Sequence, residues 1–445
     1  MNKTFSIGGA HIPDNKISAI AAIEDFPLVE YLYIPVSQHI GAPAEPIVAK
    51  GDIVKAGQLI AKANGFISAN IHSPASGTVT SIEMRSNVSG FPRTHIVIKT
   101  EGDEWEESID RTSDIVREIN LTAEEIVKRV AYCGVVGLGG AAFPTSVKLS
   151  PPPDKRAEYL IVNGAECEPF LTSDYRIMVE YPEKMLIGTK IMMRALGVKK
   201  AYIGVEVNKP DAIEILREFT KRDYSDIEVV PLKKRYPQGG EKQLIDAILK
   251  RRVPYMGLPV EVGTVVQNVG TALAVYEAVQ KNKPLIDRII TVTGNSLSRQ
   301  YNFKMRIGTP LDKVIEFMGG LPEDIAKIVC GGPMMGEATA KLGSVSLKSS
   351  SGYLFLTEKE TKRSPEGSCI RCAKCVNVCA MGLEPYLFNS LSRVKRYEEL
   401  EHNSVQECIE CGCCVYMCPA SIPLLDTIRP AKAEVLKRIR GRLKS

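Results

Sequence analysis

The sequence lacks long apolar segments and contains few aromatic residues. None of its 445 residues belongs to an uncharged apolar run of the roughly 18 residues that a membrane-spanning helix needs. Polar residues and a glycine pair follow Met1, where a signal peptide would have its apolar core. Aromatic residues make up 6% of the chain, and the basic residues are not interleaved with rings that could stack on bases. We therefore expect a soluble, cytoplasmic protein that does not bind nucleic acid.

Cysteine is scarce over most of the chain and concentrated near its end. Of the 12 cysteines, Cys133, Cys167 and Cys330 stand alone, and the other nine follow residue 365. Disulfide scaffolds are short secreted chains that need cross-links, whereas this chain has the length of about three domains with cores of their own. The cysteines therefore indicate local metal chemistry in a reducing compartment.

The first 110 residues predict a compact β domain. Short apolar segments alternate there with turns that contain glycine and proline. Two of them, Gly51-Asp-x-Val-x-x-Gly57-Gln-x-Ile-Ala and His72-Ser-Pro-x-Ser-Gly-x-Val, resemble the barrel-sandwich fold of biotinyl and lipoyl carriers. Those carriers bear their cofactor on a lysine at a hairpin tip, but segment 63–70 contains no lysine. We expect a structural or docking role for this domain.

Residues 111–285 show the alternation of strands and helices that is typical of a parallel α/β fold. Thr122 and Glu125 form a capping-box pattern ahead of an amphipathic helix. Three strands and two further helices are predicted: strands at 159–162, 201–205 and 227–230, and helices near 175–196 and 210–222. Sheets of this kind bind ligands at the carboxyl ends of their strands. Residues 286–345 return to short, glycine-rich β segments.

Two segments are candidate cofactor-binding elements. The first is a glycine-rich stretch, Gly134-Val-Val-Gly137-Leu-Gly139-Gly140-Ala-Ala-Phe143-Pro-Thr-x-x-Lys148. It follows a helix and runs into a proline, so it lacks the strand–loop–helix context of a dinucleotide-binding fingerprint. Its glycines would let backbone amides approach a phosphate or a flat ring, with Lys148 as countercharge. The second, Asn163-Gly-Ala-Glu166-Cys-Glu168-Pro, brings an amide and two carboxylates to the end of the first predicted strand.

Two copies of one cysteine pattern occupy residues 346–445. They read Cys369-x-x-Cys372-x-x-Cys375-x-x-x-Cys379 and Cys408-x-x-Cys411-x-x-Cys414-x-x-x-Cys418-Pro. In two-cluster ferredoxins, each cluster takes three thiolates from one copy and the last cysteine of the other. Two [4Fe–4S] clusters are therefore predicted, on Cys369, Cys372, Cys375 and Cys418, and on Cys408, Cys411, Cys414 and Cys379. Structural zinc is the alternative, but zinc sites do not need a third and a fourth cysteine at this spacing.

The glycine-rich stretch and the acidic turn resemble the flavin- and NADH-binding subunit of respiratory complex I. The resemblance is closer to the C-subunit of the Rnf electron transport complex, a sodium- or proton-translocating ferredoxin:NAD oxidoreductase. Three further motifs support it: Phe5-Ser-Ile-Gly-Gly-x-His-x-Pro-x-x-Lys16, Tyr236-Pro-Gln-Gly-Gly-Glu241-Lys-Gln-Leu and Gln267-Asn268-Val-Gly-Thr271. The resemblance spans nearly the whole chain, with its parts in the same order.

The resemblance implies an α/β fold in four modules and a set of ligand-binding residues. The modules are a barrel-sandwich hybrid β domain (1–110), an FMN- and NADH-binding α/β domain with a parallel sheet (111–285), a soluble ligand-binding β-grasp module (286–345) and a two-cluster, ferredoxin-like helical domain (346–445). Ten residues would surround FMN: Gly137, Gly139, Gly140, Lys148, Asn163, Glu166, Gly239, Gln267, Asn268 and Thr271. Three would face the nicotinamide nucleotide: Phe143, by stacking on it, Glu168 and Glu241.

The resemblance also implies a function. The chain would be the peripheral NADH-oxidising subunit of a membrane-bound complex, on the cytoplasmic face of the cell membrane. It would pass electrons between NAD(H), FMN and the two clusters, to or from a ferredoxin-like partner, with ferredoxin or flavodoxin as the ultimate electron partner. Its neighbours would be integral-membrane and ferredoxin-like subunits. No side chain need act as a nucleophile or general acid, since the cofactors carry the chemistry.

Two other functions remain open at this point. One is a soluble flavin and iron–sulfur reductase of the cobalamin reductase type, in which the glycine loop lies near the amino terminus and the β unit comes later. Here the β unit comes first, which favours the Rnf interpretation. The other is a dicluster electron carrier that binds no flavin.

Overall fold

The computed structural model describes residues 2–339 and 341–442. After a short strand, β1 (Ile23–Asp25), seven strands follow: β2 (Tyr31–Pro35), β3 (Glu45–Pro46), β4 (Ile53–Val54), β5 (Leu59–Lys62), β6 (Ile71–His72), β7 (Gly77–Ser86) and β8 (Pro92–Thr100). They form two antiparallel sheets, in the orders β2-β8-β7-β4 and β3-β5-β6. Both sheets contribute to one apolar core that includes the buried side chains of Leu32, Ile60 and Ile98. The predicted compact β domain is therefore present.

The next part of the chain is an α/β domain around a parallel sheet. Its elements are α1 (Ala123–Tyr132), α2 (Thr145–Lys148), β9 (Tyr159–Gly164), α3 (Ser173–Glu180), α4 (Pro182–Leu196), β10 (Lys200–Glu206), α5 (Pro210–Asp223), β11 (Ile227–Leu232), α6 (Glu241–Leu249), β12 (Thr264–Asn268) and α7 (Val269–Gln280). The strand order is β11-β10-β9-β12, and all neighbours run parallel. The chain moves outward from β9 in both directions, so the crevice between β9 and β12 is the switch point where such sheets bind ligands.

The sequence predictions for this domain are confirmed with one difference. All three predicted strands are present, and Thr122 and Glu125 form the capping box ahead of α1. The single helix expected over 175–196 is instead two, which are separated at Tyr181. Pro182 accounts for the break, because proline has no amide hydrogen and suits the first turn of a new helix.

A six-stranded sheet follows, with strands from distant parts of the chain. Its elements are β13 (Asp287–Thr293), β14 (Tyr301–Arg306), α8 (Leu311–Phe317), β15 (Ile325–Cys330), β16 (Glu337–Thr339), β17 (Gly352–Thr357) and α9 (Glu358–Thr361). The strand order is β1-β14-β13-β17-β15-β16. Strands β1 and β17 both come from outside the predicted 286–345 module. The buried Asn302 also binds the amino-terminal segment, since its side-chain amide donates to the carbonyls of Ser18 and Ala21.

The last part of the chain is helical. It contains α10 (Lys374–Asn377), α11 (Pro385–Arg393), α12 (Tyr397–His402), α13 (Cys413–Tyr416) and α14 (Leu424–Arg442). Phe388, Leu400 and Val435 form part of its buried core. Among the residues that the structure describes, no helix combines the length and apolar character needed to cross a bilayer.

The amino-terminal segment, residues 3–25, connects the other modules. Its Lys3 amide donates to the carbonyl of Pro231 in the α/β domain, and its Gly9 amide donates to the carbonyl of Val378 in the helical part. Strand β1 then pairs with β14. One extended segment therefore contacts three modules.

Candidate cofactor and cluster sites

The carboxyl ends of β9 and β12 bring several predicted ligand residues together. Asn163 and Asn268 are register partners at this edge of the sheet. The glycine loop, which we define as residues 134–143, lies over them, since the Leu138 amide donates to the hydroxyl of Thr271 at 2.9 Å. A Cβ atom placed on Gly139 would lie 3.5 Å from that of Asn268. The sequence-predicted loop thus sits at the switch point of the sheet.

The tip of the glycine loop is open. Its two ends are joined, because the Gly137 amide donates to the carbonyl of Phe143 at 2.8 Å. Gly139 and Gly140 between them are exposed. Gly140 has φ +116°, and a Cβ atom there would meet nothing within 4 Å. The loop is therefore a tight turn with free space beside Gly140.

A buried hydrogen-bond donor near the carboxyl end of β12 has no acceptor. Gln267 is 3% exposed, and its side-chain Nε2 has no hydrogen-bond acceptor. The hydroxyl of Thr145, just after the loop, is likewise buried and unpaired. Buried polar groups in folded proteins are nearly always satisfied. These two donors are thus the kind of group that a bound ligand would complete.

Lys148 and Glu241 form an ion pair at the edge of the site. The Lys148 ammonium donates to Glu241 at 2.7 Å and to the carbonyl of Val266 at 3.2 Å. Glu241 is the first residue of α6, so its charge also lies at a helix amino terminus. The preceding turn is tied to β9, because Asn163 donates its side-chain amide hydrogen to the carbonyl of Gly239 at 2.9 Å.

Asn268 and Glu166 have their polar atoms engaged within the protein. Asn268 accepts from the amides of Gly270 and Thr271, at 2.7 and 3.3 Å, and so caps α7. Glu166 accepts from the amides of Asp174 and Tyr175, at 2.7 and 3.2 Å, at the start of α3. Both side chains therefore stabilise helix starts that lie beneath the glycine loop.

Asp174 is a central residue that no sequence motif identified. Its carboxylate accepts from the Asn268 side chain at 2.6 Å. Burial and the nearby charge of Glu166 raise the pKa of Asp174 to about 7, against the opposing effect of Arg288. Arg288 is buried as well and donates to the carbonyl of Leu138 in the glycine loop at 3.1 Å. Only the folded chain brings these residues together, so spacing along the sequence could not reveal them.

The amino-terminal motif holds the acidic turn. The ammonium of Lys16 donates to the carbonyls of Glu166 and Glu168, at 2.8 and 2.9 Å. The carboxylate of Glu168 is partly buried and accepts from the Tyr236 hydroxyl at 3.2 Å and from the Met334 amide at 3.1 Å. Burial raises its pKa. Glu168 thus contacts the side of the α/β domain that faces the cysteines, rather than the tip of the glycine loop.

The cysteines of each predicted cluster line a common cavity. The inner cavity is bordered by Cys379, Cys408, Cys411 and Cys414. The outer cavity is bordered by Cys369, Cys372, Cys375 and Cys418. In each case the last cysteine of one copy joins three from the other. Across the described residues, no three His, Cys, Asp or Glu side chains converge in a way that suits a single metal ion.

The two cavities differ in their position relative to the α/β domain. The wall of the inner cavity contacts it directly: Gln243 donates to the carbonyl of Ala380 at 3.0 Å, and the Cys413 thiol lies 3.8 Å from the carbonyl of Tyr236. In the outer cavity, Cys369 and Cys372 are exposed. Cys413, which lies outside the ligand spacing, is buried and borders the inner cavity.

Three family models match successive parts of the chain. A model described as the RnfC barrel sandwich hybrid domain matches residues 3–103, the Nuo51 FMN-binding domain matches 130–277, and the SLBB domain matches 289–338. The fold and the site therefore define a protein of the Nuo51 flavin-domain class that carries an amino-terminal barrel sandwich.

Curated relatives cover nearly the whole chain. The C-subunit of the proton-translocating ferredoxin:NAD(+) oxidoreductase complex of Clostridium ljungdahlii is 45% identical over 90% of this chain and 86% of its own. Its Na(+)-translocating counterpart from Acetobacterium woodii is 42% identical over 97% of both chains. The C-subunit of the ion-translocating oxidoreductase complex of Rhodobacter capsulatus is 40% identical over 98% of this chain and 84% of its own. The chain belongs to the RnfC family of Rnf complex subunits. The predicted resemblance is confirmed, and the chain is part of an oxidoreductase.

Proposed function

We propose that this chain passes electrons between NAD(H) and a ferredoxin-like partner through FMN and two [4Fe–4S] clusters. It does so as the peripheral subunit of a membrane-bound, ion-translocating complex, on the cytoplasmic face of the membrane. One observation carries the proposal: one chain of this family combines an open glycine loop at the sheet's switch point with two cavities, each bordered by the four cysteines of one predicted cluster. Its partners are the integral-membrane and ferredoxin-like subunits of that complex, with ferredoxin or flavodoxin beyond them.

The residues at the switch point fit FMN. The free space beside Gly140 accommodates a flat ring or a phosphate, and the unpaired donors of Gln267 and Thr145 match acceptor oxygens. Lys148 supplies positive charge at the edge. When bound, a flavin exchanges a hydride with a nicotinamide nucleotide and single electrons with metal clusters. The chain's own residues orient these groups, and none is assigned a proton transfer.

The nicotinamide nucleotide would approach from the solvent side of the loop. Phe143 ends the loop and is only partly buried, so its ring is available for stacking. Glu241 pairs with Lys148 at the edge of the same site. Glu168, by contrast, is assigned here to positioning, because its carboxylate holds Tyr236 and the Met334 amide.

The surroundings of the cavities support an order for the clusters. Cys167, Tyr236 and Cys411 pack in one apolar group between the α/β domain and the inner cavity. The Gly239 amide donates to the Cys167 thiol at 3.3 Å, which connects this group to the flavin-binding segment. We therefore assign the inner cavity to the cluster next to FMN. The outer cavity, with its exposed cysteines, is assigned to the cluster that meets the partner.

Anaerobic reconstitution of the full chain tests the proposal. The purified chain is supplied with iron, sulfide and FMN, and NADH is then added. We expect the flavin absorbance to bleach and the signals of reduced [4Fe–4S] clusters to appear by electron paramagnetic resonance. Flavin that stays oxidised would contradict the dehydrogenase function. The remaining alternative would be an electron carrier with two clusters and no flavin. Turnover with aquocobalamin would instead favour the soluble reductase.

Membership of the complex is tested separately. An affinity tag on this chain is used to purify its assemblies from native membranes of the source organism. Recovery of integral-membrane subunits is the expected result. Recovery of the chain without any such subunit would contradict its placement in the complex.

A further inference from the structure

The barrel-sandwich domain reaches the glycine loop with two short segments. We call residues 38–42 and 63–70 together the barrel tip. The amide of Ile40 donates to the carbonyl of Ala142, near the end of the loop, at 3.3 Å. The side chain of Asn70 donates to the carbonyl of Tyr132, just before the loop, at 3.1 Å. The tip therefore contacts both ends of the loop and leaves Gly139 and Gly140 free.

A buried lysine completes the contact at the first end. Lys348, between the six-stranded sheet's β16 and β17, is 1% exposed. Its ammonium donates to the carbonyls of Asn70 and Gly134, both at 2.7 Å. Its own amide donates to the side chain of Gln38 at 3.1 Å. One lysine thus joins the barrel tip, the glycine loop and the six-stranded sheet.

The close approach at Gly134 explains why a donor is needed here. Gly134 has φ +62°, and a Cβ atom at this position would collide with the carbonyl of Asn70. Two carbonyl oxygens at such a junction repel each other unless a hydrogen-bond donor lies between them. No carboxylate among the described residues pairs with Lys348, and burial lowers its pKa to about 7. Burying an amine costs free energy that an apolar side chain would not cost. The two hydrogen bonds of Lys348 are the contribution that offsets this cost.

The middle of the loop is held from the opposite side. Thr271 accepts from the Leu138 amide, and Arg288 donates to the Leu138 carbonyl. With the two ends fixed by the barrel and the middle fixed by the α/β domain and the six-stranded sheet, only the glycine tip is unrestrained. A loop held in its binding shape before the ligand arrives loses less conformational entropy on binding.

We propose that Lys348 and the barrel tip form a clamp that holds the glycine loop in the shape that receives flavin and nicotinamide nucleotide. The barrel sandwich, which carries no cofactor lysine, is on this view a positioning part of the nucleotide site. This inference rests on the proposed function for the identity of the ligands, but the clamp itself is a property of the chain without them.

The first test is hydrogen–deuterium exchange on the full-length chain. Lys348→Met keeps the length of the side chain and removes the donor. We expect amides of residues 134–143 to exchange about tenfold faster, with little change in the helical part. Lys62→Met, an exposed lysine of the same barrel domain, is the control and should leave exchange unaltered. Unchanged exchange in the loop, or equal acceleration everywhere, would overturn the clamp.

The second test separates positioning from general stability. In the reconstituted chain, Lys348→Met should raise the KM for NADH about tenfold, while electron transfer from dithionite through the clusters to an added acceptor stays at the wild-type rate. Equal loss of both activities would contradict a role confined to the loop. If this variant does not fold, Asn70→Ala removes the neighbouring bond to Tyr132 and should give a smaller change of the same kind. A wild-type chain that binds no flavin would contradict the proposed function but leave the exchange result valid.

Discussion

The inner and outer cavities share their cysteine spacing but not their surroundings. The wall of the inner cavity contacts the α/β domain, whereas the outer cavity is bordered by two exposed cysteines and by Ile370, which is 68% exposed. Local sequence therefore determines which sulfurs gather, and long-range packing determines how far they lie from solvent. The sequence alone presents the two sites as equivalent. In the structure one of them adjoins the α/β domain and the other adjoins solvent.

The largest effect is expected from the two cysteines that cross between copies. Cys379→Ala should remove the inner cluster, so NADH would bleach the flavin but reduce no cluster, and reduction of an added ferredoxin would fall to background. Its matched control, Cys418→Ala, should remove the outer cluster and leave one that NADH still reduces. Electron paramagnetic resonance after NADH addition distinguishes the two. Identical spectra from both variants would contradict the assignment of different roles to the inner and the outer cavity.

A smaller effect, on the KM for NADH, is expected from a substitution in the glycine loop. Phe143→Ala should raise the KM for NADH about tenfold, because a stacking ring is lost, with flavin content unchanged. Steady-state kinetics and flavin absorbance measure the two quantities. Phe91→Ala, an exposed phenylalanine of the barrel domain, is the control. Loss of flavin at unchanged KM would assign Phe143 to FMN instead.

The stability of the fold is expected to depend on pH through Asp174. The pKa of Asp174 is about 7 in the folded chain, against an ordinary value of 3.8, and Glu166, Arg288 and Lys16 are the charged groups around it. As the pH rises, the Asp174 carboxyl loses its proton at a lower pH in the unfolded chain than in the folded chain. Asp174 therefore lowers the stability of the fold progressively between pH 3.8 and about 7. Asp174→Asn should therefore be more stable than wild type at pH 8, with the difference vanishing near pH 4. Thermal unfolding at several pH values measures this, and a pH-independent difference would contradict it.

The smallest effect compares one tyrosine from each cavity region. Tyr236→Phe removes the hydrogen bond from the buried Tyr236 hydroxyl to Glu168 and should lower the free energy of unfolding by about 1 kcal/mol. Tyr386→Phe, at the border of the outer cavity, removes a hydroxyl from a ring that is 41% exposed and should have almost no effect. Denaturant titrations provide both values. Equal losses would indicate that the two regions are similarly packed.

Much of this architecture could be predicted from local patterns. The capping box at Thr122, the strand that ends at Asn163 and the glycine loop all depend on residues close in sequence, and such signals are readable without a structure. The break at Pro182 was readable as well, since proline favours the first turn of a helix over its interior.

Other features depend on contacts between distant segments. Strands β1 and β17 join one sheet although more than 300 residues separate them, and strands of three and six residues carry no signal for their partner. Asp174 and Lys348 belong to no motif: Asp174 is bound by Asn268, 94 residues further along the chain, and Lys348 binds the carbonyls of Asn70 and Gly134. The direction of Glu168, toward Tyr236 instead of the loop tip, was likewise beyond reach, because a turn residue's spacing does not determine its rotamer.

The amino-terminal segment has a consequence for how the chain is made. Residues 3–25 are synthesised before the rest of the described chain, yet their partners include Pro231, Phe303 and Val378. The Gly9 amide cannot reach the carbonyl of Val378 until the first cysteine copy has been translated, whereas the core of Phe5 consists mostly of α/β-domain residues that emerge earlier. The α/β domain therefore reaches its final packing only once the first cysteine copy has emerged. Biosynthesis thereby couples completion of the α/β domain to arrival of the segment that carries the first four cysteines of the repeated pattern.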